Sequence, residues 1–317
     1  MAGLNLPYLP IRQQLYSSNE LFKGFDPLRS SSWGETADFE IYRHFVTEGR
    51  STPRNPYTGM MQALHDTTIT QSTQGLLTNR KVTAIMGGHK LTRRSRQYKD
   101  VARLSRRLSK SGMLVCTGGG PGAMEAAHLG AAFSPAKDSE FDNALAVLER
   151  GENVPELGDI VDGKGRVSEK LVEEAHEWFL PAFRLSQSLA NPGESLAIPT
   201  WHYGHEPTTP FATHIAKYFQ NSIREEGLLA LANQGVIYAE GKAGTLQEIF
   251  QDSAQNYYKT FSHFSPMVML GAEYWTKTYP VVAVLKNLFG QADFERYVLV
   301  TDSIEAAVEF IEKFSPV

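Results

Sequence analysis

The stretch Met113-Leu114-Val115-Cys116-Thr117-Gly118-Gly119-Gly120-Pro121-Gly122-Ala123-Met124-Glu125 decides the fold. A short apolar run, a cluster of glycines and a helix-forming segment read as strand, tight turn and helix in immediate succession. At such a turn backbone N–H groups converge on an anion, and the helix N-terminus adds positive partial charge. Glycine suits the position because phosphate can approach the backbone with no Cβ in the way. The same pattern occurs just upstream, where Val82–Met86 ends in Gly87-Gly88 and Tyr98, Val101, Leu104 and Leu108 then recur at helical spacing. Further strands are predicted near 195–198, 235–239, 266–270 and 297–300, and helices near 213–232, 245–258 and 304–314. This alternation predicts an α/β protein with a doubly wound, mostly parallel sheet flanked by helices.

Two regions depart from the alternation. Residues 1–80 are punctuated by Pro, Ser, Asn and Gly, as in Asp26-Pro27 and Pro53-Arg54-Asn55-Pro56. They predict an N-terminal extension with one or two modest helices and no independent core, ahead of a main domain over 81–317. Residues from about 134 to 190 carry two amphipathic patterns, near 138–150 and 168–188, around a turn-rich segment. They predict a helical insertion, placed for packing or subunit contact rather than as a lid.

Composition excludes several classes of function. The 317 residues are 42% hydrophobic and 21% charged, a soluble globular balance. No run reaches the roughly 18 apolar residues of a membrane span, so no membrane partner is expected. A net charge of −4 argues against nucleic acid as a partner. The start, MAGLNLPYLPIRQQLY, has no basic segment followed by an apolar one, and the single cysteine, Cys116, allows no intramolecular disulfide; both suit a cytoplasmic protein. Cys116 closes a buried strand and reads as core.

The glycine run also fits G-x-G-x-x-A, the dinucleotide fingerprint. It follows the second strand rather than the first, however, and acidic residues about 20 positions on, such as Asp138, lie in a polar helical stretch, so a nicotinamide dehydrogenase is disfavoured. A second turn, Glu240-Gly241-Lys242-Ala243-Gly244-Thr245-Leu246-Gln247-Glu248, follows the strand near 235–239. Taken in order, the two turns resemble the paired motifs of the Lonely Guy (LOG) family, G-G-G-x-G-x-M-E and P-G-G-x-G-T-x-x-E. That family is also labelled "lysine decarboxylase-like". The resemblance spans most of the chain from Val82 onward.

The resemblance implies a Rossmann-like homo-oligomer that needs no cofactor and no metal. Its activity would be hydrolysis of the N-glycosidic bond of a nucleoside 5′-monophosphate, AMP-like or a cytokinin riboside monophosphate, to free base and ribose 5-phosphate. Glu248 falls on the family's catalytic glutamate and Arg224 on its catalytic arginine. Gly241, Gly244 and Thr245 match the phosphate-cradling residues, Gly118, Gly119, Gly120 and Gly122 the first turn, and Gly87 and Gly88 the loop after the first strand. Glu240 and Lys242 stand where the family has proline and glycine; Glu240 is expected to point outward. A nucleotide-binding sensor or carrier of the same fold, without turnover, is the alternative.

Each residue also has a plainer reading. Thr245 and Glu248 fit a capping box, Thr as cap and Glu reaching back. Arg224 fits a solvated helix face above a stripe of Ile215, Phe219 and Ile223. Arg93, Arg94 and Arg96 form a charge run near the binding edge. Glu125 is a candidate acid for the leaving base. In Trp201-His202-Tyr203-Gly204-His205-Glu206-Pro207 the histidine spacing does not fit H-E-x-x-H, so a base- or ribose-binding loop through Trp201, Tyr203 or Glu206 is preferred to a metal site. No pyridoxal-phosphate lysine motif is recognisable.

Overall fold

The computed structural model describes residues 5–151, 153–260 and 264–314; residues 1–4 of the start read for an export signal lie outside them. The N-terminal segment holds α1 (Ser18–Leu21), α2 (Ala37–Thr47) and α3 (Pro56–Leu77). The main fold continues through β1 (Val82–Met86), α4 (Arg96–Lys110), β2 (Leu114–Thr117), α5 (Ala123–Ala132), α6 (Asp138–Glu149), α7 (Glu169–Ser188) and β3 (Ser195–Ala197). Then come β4 (His214–Ile215), α8 (Asn221–Ala230), β5 (Gly235–Tyr238), α9 (Ala243–Tyr258), β6 (Met267–Leu270), α10 (Val281–Tyr297), β7 (Val298–Thr301) and α11 (Ile304–Lys313). The strands form one sheet in the order β4-β3-β2-β1-β5-β6-β7, and every pair is parallel.

Both faces of this sheet are covered, which is why its inner strands read as unbroken apolar runs. Val82, Ala84 and Met86 enter one core while Ile85 enters the other; Val236 and Tyr238 are likewise separated from Ile237. The second core is built from α4, α5, α6 and α11. The first also receives Tyr8, Trp33, Phe39, Tyr42 and Phe45 from the N-terminal segment. The insertion joins it there: rings of Phe22 and Phe25 lie 4.5 and 5.3 Å from Phe179 of α7.

Two expectations need correction. Residues 56–77 form one 22-residue helix, longer than the modest helices expected. Its buried face is largely polar, with Thr58, Gln62, His65, Asp66, Thr68 and Thr73, so hydrophobic periodicity gives no sign of it. Residues near 213–220 are not helical: they hold strand β4 and an extended lead into α8. Ile215 and Phe219 are spaced like a helical stripe, yet each is buried from an extended backbone, and Ile223 is 47% exposed.

That extended lead is gripped by the N-terminal segment. Tyr16 pairs antiparallel with Ile215 through two backbone bonds, N to O 3.0 and 2.9 Å, and so covers the edge strand. Lys217, fully buried, donates from Nζ to both carboxylate oxygens of Asp38 at 2.7 and 2.8 Å. Trp201 Nε1 donates to the same carboxylate at 2.9 Å. Burial pulls the Lys217 ammonium below its ordinary range while Asp38 opposes the shift. Asp38→Ala is therefore expected to cost about 3–5 kcal/mol, because it strands a buried charge. Asp38→Leu with Lys217→Met should recover most of that loss in urea unfolding; a double variant as weak as the single one would refute the explanation.

Candidate functional site

The chain runs from β1 outward through β2, β3 and β4, then returns to place β5 on the other side of β1. Beyond the carboxyl ends of β1 and β5 lies the switch-point crevice where open sheets of this kind bind ligands. Three glycine-bearing loops meet there. The Gly88 N–H donates to Glu240 O at 2.9 Å, and the Ala123 N–H donates to Gly88 O at 3.2 Å.

Most of the glycines serve the packing of these loops. Gly119 and Gly122 have φ of 75° and 70°, and a Cβ at Gly122 would collide with the carbonyls of Gly88 and His89. Gly87 lets β1 pack on Ala123, Gly88 lies against Glu240 O and Gly241, and Gly120 lies under Met124 and Glu206. At Gly118 the space of a side chain is filled by Arg224 Nη2, and at Gly241 by Thr245 Oγ1. Of these glycines Gly244 alone faces open space. In the first turn, protein atoms occupy the side-chain room its glycines leave.

The backbone donors divide the same way. In the first turn Gly119 N–H is taken by Thr117 Oγ1 at 2.9 Å and Gly120 N–H by Met124 Sδ at 3.4 Å. In the second, the first intrahelical bond of α9 runs from Leu246 N to Lys242 O, leaving the N–H groups of Ala243, Gly244 and Thr245 without intrahelical acceptors. Lys242 supplies no side-chain cap, and the first turn of α9 carries no acidic residue. This helix end is open, positive and beside Gly244, an arrangement that suits an anion. Lys242 is exposed next to it, while Glu240 is turned aside, its Oε1 accepting from Gln97 Nε2 at 3.5 Å.

Arg224 and Glu248 are brought together between the two turns. Arg224 is 8% exposed, not on a solvated face, and its Nε donates to Ile198 O at 2.8 Å. Its two Nη groups have no hydrogen-bond acceptor among the described residues. Glu248 is half-buried and likewise has no hydrogen-bond partner among them. Burial pushes its carboxyl up to about 7, Arg224 opposing the rise and Glu225 adding to it. The capping box is not formed, because α9 begins at Ala243 and Thr245 lies inside its first turn, buried against Gly241. The carboxylate of Glu248 is therefore not engaged in capping.

Other candidates have surroundings of their own. Arg93 is 4% exposed, and its Nε and Nη2 hold Glu125 at 3.0 and 2.6 Å while Nη1 donates to Trp178 O. Arg93 is thus no solvated charge, and both oxygens of Glu125 are taken up by its guanidinium away from Glu248 and Gly244. Arg94 and Arg96 bond to Glu149 O and Asp100 at the surface. Trp201 is fully buried and stacked on Phe219, so it does not line the crevice; Tyr203 is exposed and Glu206 reaches Gly120. Among the described residues no cluster of three or more metal-ligating side chains occurs, and no helix is long and apolar enough to cross a membrane. The buried Cys116 thiol is pushed up to about 12. Sequence reasoning missed Asp252, one turn after Glu248, whose buried carboxyl is raised to about 7 and accepts from Tyr238 Oη at 2.7 Å. The acidic i, i+4 pair on one helix was its only signal.

No family model and no curated protein matches the chain. Solved structures resemble it. The protein TM1055 is similar over 74% of this chain and 99% of its own, at 21% identity and a TM-score of 0.44. The molybdenum cofactor binding protein of the phototrophic bacterium Rippkaea orientalis matches 74% of this chain and 96% of its own, at 14% identity and 0.42. The molybdenum cofactor carrier protein of Chlamydomonas reinhardtii matches 74% and 98%, at 13% identity and 0.41.

The two raised carboxyls make stability depend on pH. Each titrates near 7 in the folded chain against ordinary values of 4.5 and 3.8, so the folded state holds protons that the unfolded chain has released. Their contribution is complete below the unfolded values and is lost as pH rises through about 7. Glu248→Gln should then unfold at higher urea than the native chain at pH 8 and at nearly the same urea near pH 4.5. A variant weaker at pH 8 would contradict this sign.

Proposed function

We propose that the chain is a LOG-type enzyme that hydrolyses the N-glycosidic bond of a nucleoside 5′-monophosphate. The observation that carries this reading is the unpaired Glu248 carboxyl, held beside the buried Arg224 next to the open helix end at Gly244. The phosphate seats on the free N–H groups of Ala243, Gly244 and Thr245, with Lys242 at the rim. The Nη groups of Arg224 then bond to phosphate or base and fix the nucleotide across the crevice.

As the bond from C1′ to the base nitrogen breaks, its electron pair leaves with the base and positive charge develops on the ribose. The Glu248 carboxylate stabilises that charge and takes a proton from the water that adds to C1′. The base gains a proton from solvent as it departs. The working form of Glu248 is the anion, so turnover falls as pH drops through about 7.

Incubation of the protein with AMP, GMP, CMP, UMP and IMP, followed by chromatography, tests the reading. Free base and ribose 5-phosphate are expected from at least one of them. Glu248→Gln should fold and lose roughly 100-fold or more in turnover. Near-normal turnover in that variant would falsify the role of Glu248. Tight nucleotide binding without base release from any of the five would instead establish a sensor or carrier.

A further inference from the structure

We propose that Asp66 of α3 is a positioning residue for Arg224, so that the N-terminal segment forms part of the apparatus that presents the guanidinium to the crevice. The proposal rests on the role given to Arg224 above and extends it to a residue with no sequence motif of its own. Asp66 is 1% exposed, and its two carboxylate oxygens accept the backbone N–H groups of Phe219 at 3.0 Å and Gln220 at 2.9 Å. Gln220 is the N-cap residue of α8, and its own side chain makes no capping bond. Asp66 thus clamps the two residues that lead into α8, N′ and N-cap, and it sets a negative charge at the positive end of the helix.

A third donor orders the carboxylate. His65 Nδ1 lies 3.1 Å from Asp66 Oδ1, and Tyr16 Oη lies 2.8 Å from His65 Nε2. Burial lowers the imidazole's proton affinity, which leaves it neutral with one N–H. The one arrangement that satisfies the row has Tyr16 donating to Nε2 and Nδ1–H donating to Asp66.

The consequence reaches Arg224 because little slack lies between them. The Arg224 N–H bonds to Gln220 O at 3.4 Å, one turn away. The guanidinium then fills the space against Gly118, with Nε on Ile198 O. A tilt of the first turn of α8 therefore loosens the seat of the guanidinium against the turn and weakens its hold beside Glu248. The charged and titratable neighbours of Glu248 are Arg224 and Glu225 on α8, Tyr238 on β5 and Asp252 one turn on along α9, and of these Arg224 is the cation.

Asp66→Asn is the test. Whichever way the amide turns, its NH2 faces one of the two backbone N–H donors. The readout is the titration of the Glu248 carboxyl by carbon-13 NMR, its signal assigned by its loss in Glu248→Gln. In Asp66→Asn the midpoint is expected to rise above that of the native chain, in the direction seen in Arg224→Met. In parallel, kcat/KM on the monophosphate that the native chain hydrolyses should fall roughly tenfold or more. Leu108→Ala, a core truncation in α4, should lower stability and leave the midpoint in place.

An unchanged midpoint in folded Asp66→Asn, or an equal rise in Leu108→Ala, overturns the proposal. If Asp66→Asn does not fold, His65→Phe removes one of the three donors while keeping the carboxylate; a smaller rise supports the proposal and none overturns it. The titration needs no turnover. A rise in a chain that releases no base leaves the positioning role standing and removes the hydrolase reading, whereas base release with no rise does the reverse.

Discussion

One backbone hydrogen bond, from Gly88 N–H to Glu240 C=O, crosses the point where the sheet changes its direction of winding. Strands on either side of that point were made more than 100 residues apart, yet their loops must lie edge to edge with no side chain between them. The geometry follows from all-parallel pairing, which sends every strand out at the same edge and every following helix in from it. Once Gly88 and Glu240 are joined, Gly241 is pressed against Thr245, and the start of α9 is fixed beside the crevice. The open donors of that helix are a product of this closure.

Arg93 and Arg224 show how burial alone fails to separate support from function. Both are nearly inaccessible, and both lie among the loops at the carboxyl edge. Arg93 spends its guanidinium on Glu125 and the Trp178 carbonyl, which completes a structural tie between α5 and α7. Arg224 spends one donor on Ile198 O and keeps the others. A buried cation with donors left over is costly to hold unless a partner arrives, and the neighbouring carboxyl of Glu248 is costly in the complementary sense. The N-terminal segment supplies much of the rigidity that holds this unsatisfied pair in place.

The inner strands were legible because burial on both faces leaves a continuous apolar run, and the helix after the first of them because Tyr98, Val101, Leu104 and Leu108 recur at helical spacing. Six of the seven strands fall where those runs predict them. The seventh, His214–Ile215, is two residues long and is held between β3 and the Tyr16 bridge, which no local pattern encodes. Residues 56–77 were illegible as a long helix because their buried face is made of threonine, glutamine, histidine and aspartate. The glycine turns pointed to the right edge of the sheet, but the sequence could not say which glycines face a ligand and which face Arg224, Met124 or Thr245. Asp66 had no signal at all, since its meaning depends on two N–H groups 153 and 154 residues away.

Those separations bear on how the chain is made. Tyr8, Tyr16 and Phe45 reach their places only after residues 215–220 exist, because their partners Ile215 and Phe219, like those of Asp38 and Asp66, lie there. At the usual pace of synthesis, the interval is on the order of ten seconds. For that time Tyr8 and Phe45 have no Phe219 to pack against, and the last strand of the growing half-sheet has no neighbour beyond it. The N-terminal segment is thus first made and late to settle, and its apolar face waits for residues 215–220 to emerge.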